Sequence, residues 1–461
     1  MPDADVIIVG ASPGGLCAGA LLAKAGKKVL ILEKQGVVGG RTFSTTYMGN
    51  IFDNAPHLPC RTGHLERVFE TLGKPYPRIW YDWKGALVYW KGQWQQLMTL
   101  TDRKSLRPMI NEIRNMSYEE LERYDAYPLK DWVAERCDTE AMHFFWYNQA
   151  VGAYAGSKYK DFGAGELLFF LKESLEKFGT FGGLWGCVEG GYASLLKPLY
   201  DSFIENGGEV RINTPVFEIV IEGGKAIGVE VPAQEPLVPS MIVPTESITA
   251  PVVVCAVSIW DMFKVLPKNK LSRWYVDQTE NIIWRWGGSS PIVCGMTKPM
   301  EGWDIGWGKF IPGWESESGL SIWGHIMHDY SGDSSKPQVV FWFMGNYDDY
   351  PTRIVEASNP QARKDLKELF AVQERDLDRF FPGWNENLAW KTYHFGPFGL
   401  AAMPGVRGSQ AAPTMKVPEV KNLYLLNESI REARGITIQA VARAAEICRD
   451  RILAAENQMA R

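Results

Sequence analysis

The apolar positions of the first 35 residues form two short continuous runs on either side of a stretch of small residues. Val6–Val9 and 28–33 have the length and the aliphatic content of buried strands. Between them, 16–25 is typical of a helix, and the glycines of 10–15 predict a tight turn in front of it. The order strand, glycine-rich turn, helix, strand predicts a βαβ unit in a parallel sheet.

The same alternation of strand and helix patterns returns near 185–257 and 420–455, whereas the chain between these stretches differs from it. Periodicity and turn residues predict aromatic hairpins over 78–98, helices within 117–178 and over 193–206, strands at 209–213, 214–222 and 225–231, a strand-rich region over 258–400 with a helix at 359–380, a strand at 423–426 and a helix at 436–455. We therefore expect an α/β protein with a Rossmann-like domain assembled from 1–78, 180–258 and 400–461. A second domain, inserted as 79–179 and 259–399, is predicted to be α+β, with a mixed or antiparallel sheet and a helical part.

Composition narrows the class of protein. The 461 residues allow two domains, and a net charge of −5 without a basic run excludes nucleic acid as the expected partner. The seven Cys are scattered singly, which favours a reduced, cytoplasmic protein and predicts no metal site. No apolar run reaches the ~18 residues that span a bilayer, and the first residues do not resemble a signal peptide. Peripheral membrane contact and oligomeric state stay open.

The first turn carries a degenerate dinucleotide-binding pattern, Gly10-x-Ser12-x-x-Gly15. Ser12 replaces the usual middle glycine, while Pro13 and Gly14 begin the helix whose free N–H groups favour a pyrophosphate. Glu33, at the end of the second strand, is placed to accept hydrogen bonds from the hydroxyls of an adenosine ribose. Its charge would repel a 2′-phosphate, which argues against NADP. An ordinary glycine-rich turn is the competing interpretation.

Segments beyond Glu33 extend the pattern. Gly39-Gly40-Arg41-Thr42 follows closely, and then 52–57 reads Phe-Asp-Asn-Ala-Pro-His. Together with 189–195, 205–216 and 422–438, these segments resemble the flavoprotein amine oxidase and phytoene desaturase superfamily, and most closely its phytoene desaturase, retinol saturase and carotenoid isomerase branch. The resemblance implies non-covalently bound FAD contacted by Gly10, Ser12, Pro13, Gly14, Gly15, Glu33, Lys34, Gly39, Gly40, Arg41, Thr42, Val216, Asn427, Glu428, Gly435, Ile436 and Thr437.

The C-terminal segment departs from the superfamily. Asn427-Glu428 stands where Gly-Asp is usual, so the carboxylate that would meet the flavin ribityl chain is one methylene longer. By the resemblance, the amides of 435–437 at a helix start would face the N1/O2 edge of the flavin and stabilise its anionic reduced form. Arg41 would supply positive charge near the phosphates or pack against the cofactor.

The sequence specifies the reaction less closely than it specifies the cofactor. The resemblance makes His57, Tyr393 and His394 the candidate catalytic residues, while Lys298 and Lys391 match the amine oxidases' lysine by position only. The chain holds 18 Trp, most of them outside the cofactor segments, which suits a domain that binds a hydrophobic small molecule.

Three activities stay open. The first is an FAD-dependent oxidoreductase that acts on a CH–CH or C=C bond by hydride transfer to or from flavin N5. The second is a flavin-dependent isomerase or hydratase without net redox change. The third is an amine oxidase that produces hydrogen peroxide. A non-enzymatic flavin-binding scaffold is a distant fourth.

Overall fold

The computed structural model describes residues 2–53, 60, 62–80, 84–154, 158–179, 186–234, 243–304, 306–328, 335–353, 356–408 and 412–459. Within these ranges the strands are β1 Val6–Val9, β2 Val29–Leu32, β3 Ser44–Tyr47, β4 Asn50–Asp53, β5 Ile79–Trp80, β6 Gly85–Trp90, β7 Gln93–Gln96, β8 Cys187–Val188, β9 Glu209–Arg211, β10 Glu218–Glu222, β11 Lys225–Pro232, β12 Thr245–Thr249, β13 Val252–Cys255, β14 Trp286–Ser289, β15 Ile292–Met296, β16 Trp307–Ile311, β17 Ser321–His328, β18 Pro337–Asn346, β19 Leu388–Tyr393, β20 Gly396–Leu400 and β21 Leu423–Leu425. The α-helices are α1 Pro13–Lys24, α2 His64–Leu72, α3 Leu97–Leu100, α4 Arg103–Asn115, α5 Tyr118–Glu122, α6 Leu129–Cys137, α7 Glu140–Tyr154, α8 Ala164–Phe178, α9 Tyr192–Glu205, α10 Met262–Val265, α11 Arg273–Ile282, α12 Pro360–Phe380 and α13 Thr437–Met459.

The first sheet is parallel, and its described strands lie in the order β21-β13-β1-β2-β9. Every residue of β1 and β2 is buried, as expected for strands covered on both faces. Small residues let α1 approach the sheet closely: a side chain at Gly19 would come within 2.8 Å of Ile31 Cδ1. Because parallel strands end together, the loops after β1, β2, β13 and β21 share one edge of the sheet.

The second large sheet is mixed and runs β19-β15-β18-β17-β16-β6-β7, with β14 bridging β18 and β20. Its central strand β18 is buried at every position and separates two apolar cores. Phe341 and Phe343 pack with Phe380 of α12 on one face. Val340 and Trp342 pack on the other face with helices α4 to α8. Alternation along one strand therefore builds a helix–sheet–helix sandwich.

The structure confirms the predicted α/β class and corrects several details of it. The strand expected over 214–222 begins only at Glu218, because Asn213 has φ +52° and the Thr214 amide bonds to the carbonyl of Glu33 (2.8 Å). Helix α4 was not predicted, since its mostly polar sequence contains Pro108. The division into two domains at the predicted boundaries stays a prediction. In the part of the chain described, no helix combines the length and apolarity required to cross a membrane.

Candidate functional site

The loop between β1 and α1 is held open by glycine and capped by serine. Ser12 Oγ accepts from the Gly15 amide (3.3 Å) and donates to the carbonyl of Ala256 (3.2 Å), so it fixes the start of α1 against β13. A Cβ at Gly15 would lie 2.2 Å from the Gly10 carbonyl oxygen. The helix N-terminus therefore has the bare backbone that a pyrophosphate requires, with Pro13 at its first position.

Glu33 is buried at the end of β2 and holds its carboxylate with two backbone amides. Oε2 accepts from Ala11 (2.8 Å) and Oε1 accepts from Gln35 (2.9 Å). Among the described residues, no basic side chain lies within ion-pair distance of it. Each oxygen retains lone pairs for a further donor, so the carboxylate fits a pair of ribose hydroxyls.

The Gly39–Gly40 segment lies directly against this loop. The Gly39 amide donates to the Ala11 carbonyl (2.8 Å), and a Cβ at Gly40 would lie 3.6 Å from Ser12 Cβ. The Thr42 amide donates back to Gly39 (2.9 Å) and closes the turn. The two glycine motifs, 24 or more residues apart in sequence, are therefore brought into one crevice.

Arg41 and Glu428 contact each other. Their ion pair measures 2.9 Å, and Arg41 also donates to the carbonyl of Pro397 (3.0 Å). Asn427 is buried, donating to the carbonyl of Val257 (3.2 Å) and accepting from the amide of Ser429 (3.0 Å). The segment of Arg41 and the segment of Glu428 therefore contact each other through the two charged groups that were predicted to contact different parts of FAD.

The remaining predicted FAD contacts lie in other segments of the chain. Val216 is half-buried against the core of the parallel sheet. Gly435 has φ +99°, and α13 begins two residues later at Thr437, giving a 23-residue helix whose positive end starts at this loop. Lys34 does not join the group, since its ammonium pairs with Asp261 at 3.4 Å and is largely exposed.

Tyr393 and His394, two of the candidate catalytic residues, contact different parts of the structure. Tyr393 is 41% exposed and donates to Glu374 of α12, which Lys391 also contacts. His394 is half-buried, with its ring 6.0 Å from that of Phe52, and burial lowers its pKa, so the ring is neutral at pH 7. His57 lies outside the described residues.

An apolar cluster extends from the cofactor segments to the mixed sheet. Phe52, the first residue of the 52–57 motif, and Ile436, before α13, share one buried core with Trp342 and Trp390. Phe52 and Trp390 have ring centroids 5.4 Å apart. We name this core the aromatic cluster. It extends from Phe52 and Ile436 to the face of the mixed sheet that helices α4 to α8 cover. Trp146 and Trp342 belong to it and Trp323 packs against it, whereas Trp286 and Trp303 fill the core beneath α12.

Several buried polar atoms in or beside the aromatic cluster have no hydrogen-bond partner. Among the described residues, Nε1 of Trp342, Nε1 of Trp390 and Oε1 of Gln338 are buried without a hydrogen-bond partner. The indole of Trp390 lies over Gly295, where an added Cβ would come within 2.2 Å of Nε1. Buried donors and acceptors normally find partners, so these atoms are suited to a bound molecule.

Sequence reasoning missed three charged residues behind the α13 loop. Asp125, Glu166 and Arg407 gather around Arg434, which the sequence motif included without a role. Asp125 and Arg434 are 309 residues apart, so no local spacing indicates the contact.

Comparison with known proteins agrees with this geometry. Residues 13–450 match the family model for flavin containing amine oxidoreductases. A 4,4'-diapophytoene desaturase (4,4'-diapolycopene-forming) of Methylomonas sp is 32% identical over 120 residues, which are 23% of this chain and 21% of that protein. The matched stretches of this and other phytoene desaturases span only 12% to 29% of those proteins.

Solved structures share the whole fold at low identity. An oxidoreductase from Methanosarcina mazei superposes with a TM-score of 0.72 at 18% identity, covering 96% of this chain and 99% of that one. Cyclohexylamine oxidase from Brevibacterium oxydans gives 0.65 at 17% identity, covering 99% and 100%. Since the family model covers nearly the whole chain, this protein belongs to the flavin containing amine oxidoreductase family and is an FAD-dependent oxidoreductase.

Proposed function

We propose that this enzyme desaturates or saturates a CH–CH or C=C bond of a hydrophobic small molecule. The main support for the proposal is the aromatic cluster, in which Phe52 and Ile436 share one apolar core with Trp342 and Trp390 of the mixed sheet. A site walled in this way binds apolar carbon chains or rings and excludes water. The matched stretch of the Methylomonas desaturase supports the same class of reaction.

The chain's own residues would hold FAD in the crevice at the ends of the parallel strands. The α1 N-terminus and the bare backbone of Gly15 and Gly40 would accept the pyrophosphate, and Glu33 the adenosine ribose. Arg41 and Glu428 would turn from each other towards phosphate and ribityl groups. When bound, FAD supplies two-electron hydride chemistry, and the protein supplies orientation and a dry environment.

The residues at the substrate side would act mainly by binding and by excluding water. The faces of Trp342 and Trp390 would contact the substrate, and Gln338 Oε1 would accept a hydrogen bond from any hydroxyl that it carries. His394, neutral and hydrogen-bonded to Thr392 Oγ1 (3.0 Å), is the described imidazole best placed to hold a proton near Phe52. A role for His57 remains part of the proposal. Tyr393, bonded to Glu374, is left out of it.

Oxidation of an amine is the second candidate, favoured by the family model and by the shared fold of cyclohexylamine oxidase. An amine enters such a site as the neutral base, and the apolar walls of the aromatic cluster are compatible with that form. A redox-neutral isomerisation or hydration is the third candidate, and it is distinguished by its requirement for pre-reduced flavin.

Anaerobic stopped-flow spectroscopy of the holoenzyme separates the three. We expect 4,4'-diapophytoene in detergent micelles to bleach the visible band of oxidised FAD, or its polyene product to reoxidise reduced FAD. Bleaching by cyclohexylamine, with peroxide released in air, would instead establish the amine oxidase. Turnover of polyene only by pre-reduced enzyme, with the flavin staying reduced, would establish the isomerase. The variant Trp342→Ala should slow the expected bleaching at least tenfold, whereas Trp286→Phe, in the core beneath α12, should leave it unchanged.

A further inference from the structure

Four charged side chains, three of them buried and the fourth mostly so, cluster beside the loop that precedes α13. The guanidinium of Arg434 donates to both oxygens of Asp125, at 2.5 and 3.3 Å, and its Nε lies 3.1 Å from Glu166 Oε1. Arg407 Nε lies 3.5 Å from the other oxygen of Glu166. We name Asp125, Glu166, Arg407 and Arg434 the charge cluster. With two carboxylates and two guanidinium groups, it is neutral when all four are ionised.

Two glycines leave space for the carboxylates of Asp125 and Glu166. A Cβ at Gly165 would lie 2.2 Å from Asp125 Oδ1, and a Cβ at Gly408 would lie 2.2 Å from Glu166 Oε1. Gly408 also has φ +69°, a conformation that side chains disfavour. Only glycine at these two positions lets the carboxylates reach the guanidinium groups.

Burial of this kind contributes little to stability by itself. Buried ion pairs lose hydration that their mutual attraction only partly restores, and apolar residues of similar size often stabilise a fold better. A buried pair does fix one geometry, because breaking it leaves an unpaired charge. Arg434 is further held by the ring of Phe169, whose centroid lies 4.5 Å from its guanidinium carbon.

The geometry held in this way is that of the loop before α13. Arg434 belongs to the loop, and Arg407 donates to the carbonyl of the next residue, Gly435 (2.7 Å). Asp125 and Glu166 belong to the helical part of the chain, Asp125 after α5 and Glu166 in the first turn of α8. The cluster therefore joins the helical part to the loop from which the first N–H groups of α13 project.

We propose that the charge cluster is a positioning device for FAD. It fixes the 434–436 loop, and through it the N-terminal amides of α13, in the arrangement that binds the flavin ring, without touching the cofactor. The inference rests on the placement of FAD in the proposed function. Arg434 and Asp125 are positioning residues in this account and take no part in the chemistry.

The test compares two ion pairs that connect the same two segments. Asp125→Asn removes the buried partner of Arg434, while Glu122→Gln removes the exposed partner of Arg431, an ion pair of 3.2 Å with the same sequence separation of 309. Purified holoenzymes are stripped of FAD and titrated with FAD by fluorescence, and the melting temperature of each apoprotein is measured separately. We expect Asp125→Asn to raise the Kd for FAD at least tenfold and to shift the visible spectrum of bound FAD towards that of free FAD. Glu122→Gln should change neither.

Arg434→Lys provides a second, milder variant, because an ammonium cannot donate to Asp125 through the same planar fork. It should weaken FAD binding by an intermediate factor. A Kd for Asp125→Asn within twofold of that for Glu122→Gln, or an unchanged flavin spectrum together with a lower apoprotein melting temperature, would overturn the positioning role. That result would leave the proposed reaction intact, whereas failure of the substrate to reduce the flavin would leave the positioning role intact.

Discussion

Glu33→Gln tests the placement of the nucleotide in the crevice. The carboxylate accepts hydrogen bonds from the Ala11 and Gln35 amides at 2.8 and 2.9 Å, one at each oxygen. A glutamine keeps one accepting oxygen and turns an NH2 group towards the other amide. The ribose hydroxyls then lose one charge-assisted hydrogen bond, which is worth ~1.5–3 kcal/mol, and the second is weakened. A loss of about 3 kcal/mol corresponds to a rise of about 100-fold in Kd.

The assay is titration of stripped apoprotein with FAD, followed by quenching of FAD fluorescence. Glu209→Gln is a matched control, because Glu209 lies on the adjacent strand β9 with its side chain exposed and paired with Arg211. We expect the control to bind FAD like the wild type. If Glu33→Gln binds FAD within twofold of the control, the nucleotide does not lie on Glu33 and the assignment of the crevice is wrong.

Three further predictions concern the same structure. Gly15→Ala should abolish FAD retention and lower the melting temperature, since its Cβ would lie 2.2 Å from the Gly10 carbonyl oxygen; FAD content and thermal melting measure this. Arg41→Gln should weaken FAD binding about tenfold and reduce its salt dependence, because it removes a charge and leaves Glu428 unpaired, as FAD titrations at low and high salt would measure. Burial lowers the pKa of His325 from 6.5 to about 4, so the unfolded chain takes up its proton first as the pH falls. Between pH 6.5 and 4 the wild type should therefore lose about 3 kcal/mol of unfolding free energy relative to His325→Gln, measured by urea denaturation.

Each of the three predictions, for Gly15, Arg41 and His325, has a control or a result that would contradict it. Gly14→Ala should be tolerated, since its Cβ would have only contacts of 3.4 Å or more. An unchanged salt dependence in Arg41→Gln would place its charge away from the phosphates. Parallel pH profiles for the wild type and His325→Gln would mean that the imidazole is not neutral in the fold.

The cofactor half of the fold was largely predictable because its signals are local. The turn after β1, the acidic residue after β2 and the helix start after Arg434 each occupy a few consecutive residues, and parallel strands bring them to one edge. Strand limits were less accurate where tertiary contacts intervene. The Thr214 amide bonds to the Glu33 carbonyl at the end of β2, and strand β10 begins only at Glu218.

For the mixed sheet and the helices packed on it, the sequence predicted the kind of structure and several elements, but not which side chains pack together. An excess of Trp does not reveal which rings share a core, because alternation along β18 sends neighbours to opposite faces of the sheet. The same alternation puts Tyr393 on the α12 side, although it adjoins His394 in sequence. The Asp125–Arg434 contact joins residues with no common local pattern, so only the folded chain reveals it.

The mass of the product from a single anaerobic turnover shows directly whether the enzyme adds or removes hydrogen at a carbon–carbon bond. Stoichiometric oxidised holoenzyme is mixed with 4,4'-diapophytoene, and reduced holoenzyme with the corresponding polyene, and each organic extract is analysed by mass spectrometry. We expect a product that has lost two hydrogens in the first mixture or gained two in the second, with one flavin reduced or reoxidised per molecule converted. A product of unchanged mass, or conversion of an amine to a carbonyl compound while the polyenes remain intact, would contradict this expectation.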